Sequence, residues 1–185
     1  MINQRVLPAI RHMKDFEKVL KIKHYEYIVL LDTHVAMVKD LIHLAKMNGK
    51  KVLLHADLIQ GLKNDEHAAE FICQEIKPAG IVSTRSNILS IAKKRKLITV
   101  QRLFLLDSIS LETSLRLYKK VKPDYIEILP GIIPKMIAEF KNELNIPIVA
   151  GGLIRTLSEV KQAIDAGASM VSTSQPVLWE QGKEI

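Results

Sequence analysis

The chain has 185 residues, 48% of them apolar and 25% charged, with a formal net charge of +7 and one cysteine. That balance excludes a disordered chain and a disulfide scaffold, and the length bounds the protein to one domain, residues 1–185, with enough chain to bury a core. The longest apolar runs, Tyr27–Leu31 and Leu103–Leu106, are strand-sized and too short to span a bilayer, and no signal-like apolar stretch follows Met1.

In chain order, short apolar runs alternate with longer amphipathic stretches. Val6–Ile10 is a strand, followed by a helix over Met13–Lys21. Tyr27–Leu31 precedes a helix over Val35–Met47. Lys51–His55 precedes Glu66–Glu75, and Gly80–Ser83 precedes Ile88–Arg95. Ile98–Leu103 precedes Leu111–Lys120, and Tyr125–Leu129 precedes Pro134–Glu143. Pro147–Ala150 precedes Leu157–Ala166, and Ser169–Ser172 is an eighth strand. Asn48-Gly49, Lys77-Pro78, Lys122-Pro123, Asn145-Ile146-Pro147 and Ala166-Gly167 end helices ahead of strands, and Ser86, Ser108 and Thr156 are candidate N-caps. Cys73 falls in the apolar pattern Ala69, Ile72, Cys73, Ile76 and is read as a core cysteine; a lone thiol fits a reducing cytoplasm.

Eight strand units at about twenty-residue spacing favour parallel strands with helical crossovers. The expected fold is α/β, a compact TIM-like (β/α)₈ barrel whose last helix is short or missing; an open doubly wound sheet is the alternative. In such a barrel, chemistry collects at the C-terminal strand ends, and the last two strands commonly cradle a phosphate. Here one of those ends carries Gly151 and Gly152, and the next carries Ser172, Thr173 and Ser174. Glycine lets backbone N–H groups approach an anion, and hydroxyls add donors. Gly151, Gly152, Thr173 and Ser174 are therefore the candidate phosphate holders.

The other strand ends are also polar. Asp32 and His34 follow the second strand, His55 and Asp57 end the third, Arg85 follows the fourth, and Arg102 lies in the fifth ahead of Asp107. Asp32 and Asp107 could equally be helix caps, and Arg85 a surface charge. Glu127 lies mid-strand among aliphatic neighbours. It either pairs with a cation such as Arg102 or faces a ligand and accepts hydrogen bonds from its hydroxyls. His55 and Asp57 share a face if the strand continues, but two ligands do not make a metal site, and none is assigned. Cations gather at the opposite ends of the helices: Lys93, Lys94, Arg95 and Lys96, then Lys119, Lys120 and Lys122, then Lys46, Lys50 and Lys51. Each run complements a helix dipole; together they form a basic N-terminal rim suited to a phosphate backbone.

Several ordered blocks resemble the glycerol-3-phosphate-responsive antiterminator family: Leu7-Pro8-Ala9-Ile10-Arg11, Val52 to Ile59 with Gly61-Leu62, Gly80 to Arg85, Gln101 to Phe104 with Leu106-Asp107-Ser108, Glu127 to Gly131, Ala150 to Ile154, and Val171 to Ser174. The resemblance covers residues 5 to 179. It implies a short barrel that senses glycerol 3-phosphate, acts on leader mRNA of glycerol genes so that transcription passes a terminator, and has no catalytic residue or cofactor. On matching positions Gly151, Gly152, Thr173 and Ser174 would hold the phosphate. His55, Asp57, Arg85, Arg102 and Glu127 would meet the glycerol end or close the site. The RNA-binding candidates Lys93, Lys94, Arg95, Lys96, Lys119, Lys120 and Lys122 come from charge alone. The rival expectation is a barrel enzyme (isomerase, aldolase or transferase) acting on a small phosphorylated triose or sugar. Oligomeric state and contact with RNA polymerase stay open.

Overall fold

The computed structural model describes residues 2–105 and 107–182, except the side chains of Ser108, Ser110, Leu111 and Ser114. Ten strands and eight α-helices follow one another: β1 (Val6–Ile10), α1 (Met13–Lys21), β2 (Tyr27–Leu30), β3 (Thr33–His34), α2 (Val38–Met47), β4 (Lys51–His55), β5 (Ile59–Gln60), α3 (Glu66–Phe71), β6 (Gly80–Ser83), α4 (Ser86–Lys94), β7 (Ile98–Phe104), α5 (Ser108–Val121), β8 (Tyr125–Leu129), α6 (Pro134–Glu143), β9 (Ile148–Gly151), α7 (Leu157–Asp165), β10 (Met170–Thr173) and α8 (Pro176–Gln181). Eight of the strands close into a barrel in the order β1-β2-β4-β6-β7-β8-β9-β10. Every barrel pair is parallel, so each connection crosses over through the helical layer. The open-sheet alternative is set aside by the β1–β10 pairing, Val6 to Val171.

Two cores follow from strand periodicity. Residues facing outward pack with the helices in one large cluster. Inside the barrel, Leu7, Val29, Leu53, Val82, Val100, Tyr125, Val149 and Met170 form a second, one from each barrel strand. Two residues further along each strand the same face returns. On that spacing Ala9 and Leu31 extend the apolar cluster, while His55, Thr84, Arg102, Glu127 and Ser172, with Gly151 between the last two, make the next layer largely polar. An apolar plug thus supports a polar layer, and that layer floors the C-terminal mouth.

Most expected boundaries fall within about two residues of the observed ones, and three differences have local causes. The Val35–Met47 helix begins at Val38, because Val35 N–H donates to the Gln60 carbonyl and Ala36 N–H to His34 Nδ1. These bonds belong to a small ribbon, β3 with β5, that two-residue strands gave no pattern to reveal. The Glu66–Glu75 stretch is α-helical only to Phe71 and widens to a π-turn over Ile72–Ile76, closing at left-handed Lys77. Ser86 is already helical rather than a cap: Arg85 occupies the N-cap position, and its N–H donates to Ser83 Oγ. Thr156 does cap α7, in a reciprocal box with Glu159. Leu106 and the expected capping by the Ser108 side chain lie outside the described residues. Cys73 is half-buried against the outer core, where burial pushes its thiol pKa up. No helix among the described residues is long and apolar enough to cross a membrane.

The last helix is short, but it seals the barrel seam. Leu178 and Trp179 are buried, Trp179 Nε1 donates to the Thr173 carbonyl at 2.8 Å, and Tyr25 Oη donates to the Trp179 carbonyl at 2.8 Å. Burial pushes the Tyr25 hydroxyl pKa up to about 12, so it stays a donor.

Candidate functional site

A cavity of about 540 Å³ opens at the C-terminal strand ends, floored by the polar layer. Arg102 and Glu127 are register partners on β7 and β8, which places their side chains together. Arg102 Nε donates to Glu127 Oε2 at 2.6 Å, and Ser172 Oγ donates to Glu127 Oε1 at 2.5 Å. The Glu127 side chain is only 3% exposed and that of Arg102 11%. Both readings of Glu127 thus have a structural basis: the carboxylate is held by a buried cation, and it lines the cavity. Truncating either partner would leave a buried charge uncompensated.

The two glycines do different work. Gly152 lines the cavity with φ near 75°, a backbone state in which glycine carries no steric penalty. Gly151 is buried outside the cavity lining. A Cβ there would lie 2.6 Å from both Glu127 Oε1 and Ser172 Oγ, so glycine makes room for that hydrogen bond. Thr173 and Ser174 both line the cavity. The Thr173 hydroxyl is engaged locally, donating to the Ile154 carbonyl and accepting from Gln175 N–H. Ser174 is exposed at the mouth.

His55 lies just beneath, 3% exposed, and its Nδ1 has no partner among the described residues. Burial, with the Arg102 charge, pushes its pKa down to about 4 against the opposing pull of Asp57 and Glu127. The imidazole is therefore neutral at pH 7. The expected shared face of His55 and Asp57 is not formed: β4 ends at His55, and Ala56–Leu58 wind into a 3₁₀ turn. Asp57 instead ties β4 to β6, accepting from Ser83 Oγ, Thr84 N–H and Thr84 Oγ1 at 2.5, 2.8 and 2.8 Å. Arg85 is exposed, and neither it nor Asp57 lines the cavity. Asp32 accepts from Gln60 Nε2 at 3.0 Å, so it serves the ribbon. Among the described residues no group of three or more His, Cys, Asp or Glu gathers as metal ligands would.

The structure adds Arg11 and Arg155 to the cavity lining. Arg11 continues the inward alternation of Leu7 and Ala9, a signal present in the sequence. Arg155 comes from the loop between β9 and α7, where no periodicity announces it. Three guanidinium groups against one carboxylate give the mouth a net positive character suited to an anion.

At the other end of the barrel the basic rim is real but smaller than expected. Lys50 drops out: its Nζ is buried and donates to the Ile22 and Tyr25 carbonyls, and burial lowers its pKa. Lys51 pairs with Glu26 at 2.6 Å, Arg95 with Glu70 at 2.7 Å, and Lys93 with Asp124 at 3.6 Å. Lys93 also donates to the Lys122 carbonyl, so the two runs do adjoin. Among the described residues Lys94, Lys96, Lys119, Lys120 and Lys122 form no ion pair and are exposed. Beside them is a recess of about 380 Å³ lined by Tyr118, Lys119, Lys122, Pro123, Asn145 and Ile146.

Residues 6–179 match the profile of the family described as glycerol-3-phosphate responsive antiterminator. This chain belongs to that family. It is 49% identical to the solved glycerol uptake operon antiterminator regulatory protein of Listeria monocytogenes, with a TM-score of 0.93 over 96% of each chain. A glycerol uptake operon antiterminator-related protein of Thermotoga maritima is 25% identical, with a TM-score of 0.82 over 96% of this chain and 98% of its own. The Escherichia coli protein YgcP is 30% identical over 160 residues, 86% of this chain and 84% of its own. The chain is thus a glycerol-3-phosphate responsive antiterminator-like protein.

Proposed function

We propose that this protein is a cytoplasmic regulator, not an enzyme, that binds sn-glycerol 3-phosphate in the C-terminal cavity. In the ligand-bound state it binds leader mRNA of glycerol uptake and utilisation genes and prevents premature termination. The observation that carries the reading is the cavity itself, in a chain of this family: a mouth with Arg11 and Arg155 above a floor of Arg102, Glu127 and Ser172. The phosphate would sit at Gly152, Ser174 and the backbone around Thr173, within reach of Arg155. The glycerol end would point down to Glu127, whose oxygens accept from hydroxyls. His55 and Arg102 would shape that floor, and Gly151, Asp57 and Arg85 would support the site without touching ligand.

RNA would meet the N-terminal rim at Lys94, Lys96, Lys119, Lys120 and Lys122, with Lys93 and Arg95 at its edge. Lysines there act as mobile point charges along a phosphate backbone. The recess at Tyr118 and Asn145 is large enough for one unstacked base, which a ring and a side-chain amide can stack on and read. Ligand can only promote binding if it favours the RNA-competent state over the other.

The test is titration of the protein into its glycerol-operon leader RNA at fixed salt, with and without glycerol 3-phosphate. Affinity that rises with ligand supports the reading. RNA affinity indifferent to saturating ligand rejects it, and turnover of a phosphorylated triose by the same preparation would favour the barrel-enzyme alternative.

A further inference from the structure

Glu127 is the one carboxylate among the described residues that line the mouth cavity. Its position is fixed from two sides, by Arg102 Nε on Oε2 and Ser172 Oγ on Oε1. Gly151 carries no Cβ that would push it aside. Each carboxylate oxygen keeps a second lone pair, and an ionised carboxylate only accepts. The groups it meets in a ligand must therefore be donors. The pair Glu127–Arg102 is also neutral as a unit, so a second anion brought to the floor finds no uncompensated positive charge there. The three guanidinium groups are divided: Arg102 is spent on Glu127, while Arg11 and Arg155 belong to the mouth.

We infer that Glu127 sets ligand specificity by acting as a hydroxyl filter. It admits a phosphate ester of a polyol and refuses a phosphate ester of the same length that ends in a carboxylate. This inference rests on the proposal that the cavity holds glycerol 3-phosphate. It goes further in saying which relatives of that ligand are turned away, and by which atoms. A terminal hydroxymethyl group donates to Glu127. A ketone at the middle carbon loses one donor and is bound less well. A carboxylate in place of the hydroxymethyl group loses the donor and adds like-charge repulsion against a carboxylate that is only 3% exposed. The filter therefore grades three-carbon phosphates by oxidation level, from alcohol through ketone to acid.

Calorimetry with glycerol 3-phosphate, dihydroxyacetone phosphate, 3-phosphoglycerate and inorganic phosphate tests this on the full chain. Wild type should prefer glycerol 3-phosphate to 3-phosphoglycerate by about 100-fold or more, with the ketone between them. Glu127→Gln keeps the shape and removes the charge, and should shrink that ratio by about tenfold or more, mostly through gained affinity for the acid. Should that variant fail to fold because Arg102 is left unpaired, the Arg102→Gln, Glu127→Gln double variant carries the same comparison with both buried charges gone. Wild type binding the alcohol and the acid within about threefold of each other overturns the filter but leaves the proposed ligand standing. So does a ratio unchanged by the substitution. Wild type that binds none of the four probes overturns both.

Discussion

The two ends of this barrel are both basic, but they are basic in different ways. The C-terminal mouth uses arginines: Arg102 is held by Glu127 in a buried network, and Arg11 and Arg155 are exposed above it. The N-terminal rim uses lysines, exposed on helix ends and, for five of them, without an ion pair among the described residues. A guanidinium presents a planar fork and suits one small anion held in one pose; an ammonium on a flexible stem suits a long polyanion met in many registers. Net charge alone records the sum and hides this difference.

That contrast is broken most sharply by Arg102→Met. It leaves Glu127 buried without its cation, and we expect about 3–5 kcal/mol less stability along with loss of ligand binding. A denaturant melt showing wild-type stability would mean that the pair is solvated and the mouth no different from the rim. Next in size is the pH response of His55. Its pKa lies at about 4 in the fold and near 6.5 unfolded, so between those values the unfolded chain binds more protons. Stability is full above about pH 6.5 and falls as the pH drops toward 4, by about 2–3 kcal/mol. Melts of His55→Gln across that window should show a correspondingly flatter slope; an equal slope in the variant removes His55 from the account.

Ser174→Asp puts an anion at the mouth without disturbing a positive-φ residue, as any substitution at Gly152 would. We expect ligand affinity to fall about tenfold with an unchanged melting temperature. Calorimetry at wild-type affinity would place the phosphate elsewhere. The smallest effect belongs to the rim. Lys119→Gln should lower RNA affinity a few-fold and flatten its log–log salt dependence by about 0.7 to 0.9, while ligand affinity stays the same. A slope identical to wild type moves the RNA off this surface.

The same contrast explains what could be read from the chain. Strands and helices with strong periodicity were legible, most of them to within about two residues at each end, and the odd position of Glu127 among aliphatic neighbours was legible as well. Its partner was legible too, because Arg102 lies on the preceding barrel strand and parallel register sets them side by side. Arg11 was within reach of simple alternation from Leu7 and Ala9. Arg155 was not, because loop residues carry no period. Lys50 looked like any other rim lysine. What sets it apart is the pair of carbonyls at Ile22 and Tyr25, 28 and 25 residues away, and no local pattern reports them. The His55–Asp57 pair failed for a related reason: the strand stops at His55, two residues earlier than the shared-face argument needed. The ribbon of Thr33–His34 with Ile59–Gln60 is two residues per strand, too short for periodicity to register at all.

The seam closed by β1, β10 and α8 puts a clock on this molecule. Tyr25 and Trp179 meet across 154 positions, and Ser172 reaches Glu127 across 45. During synthesis the first seven barrel strands can emerge and begin to pair, yet the cavity has no complete wall until residues 170–175 have left the ribosome. Contacts this distant in sequence are also the slow ones to form. The cavity is therefore completed in one late step, and a nascent chain stalled before β10 has only part of its wall.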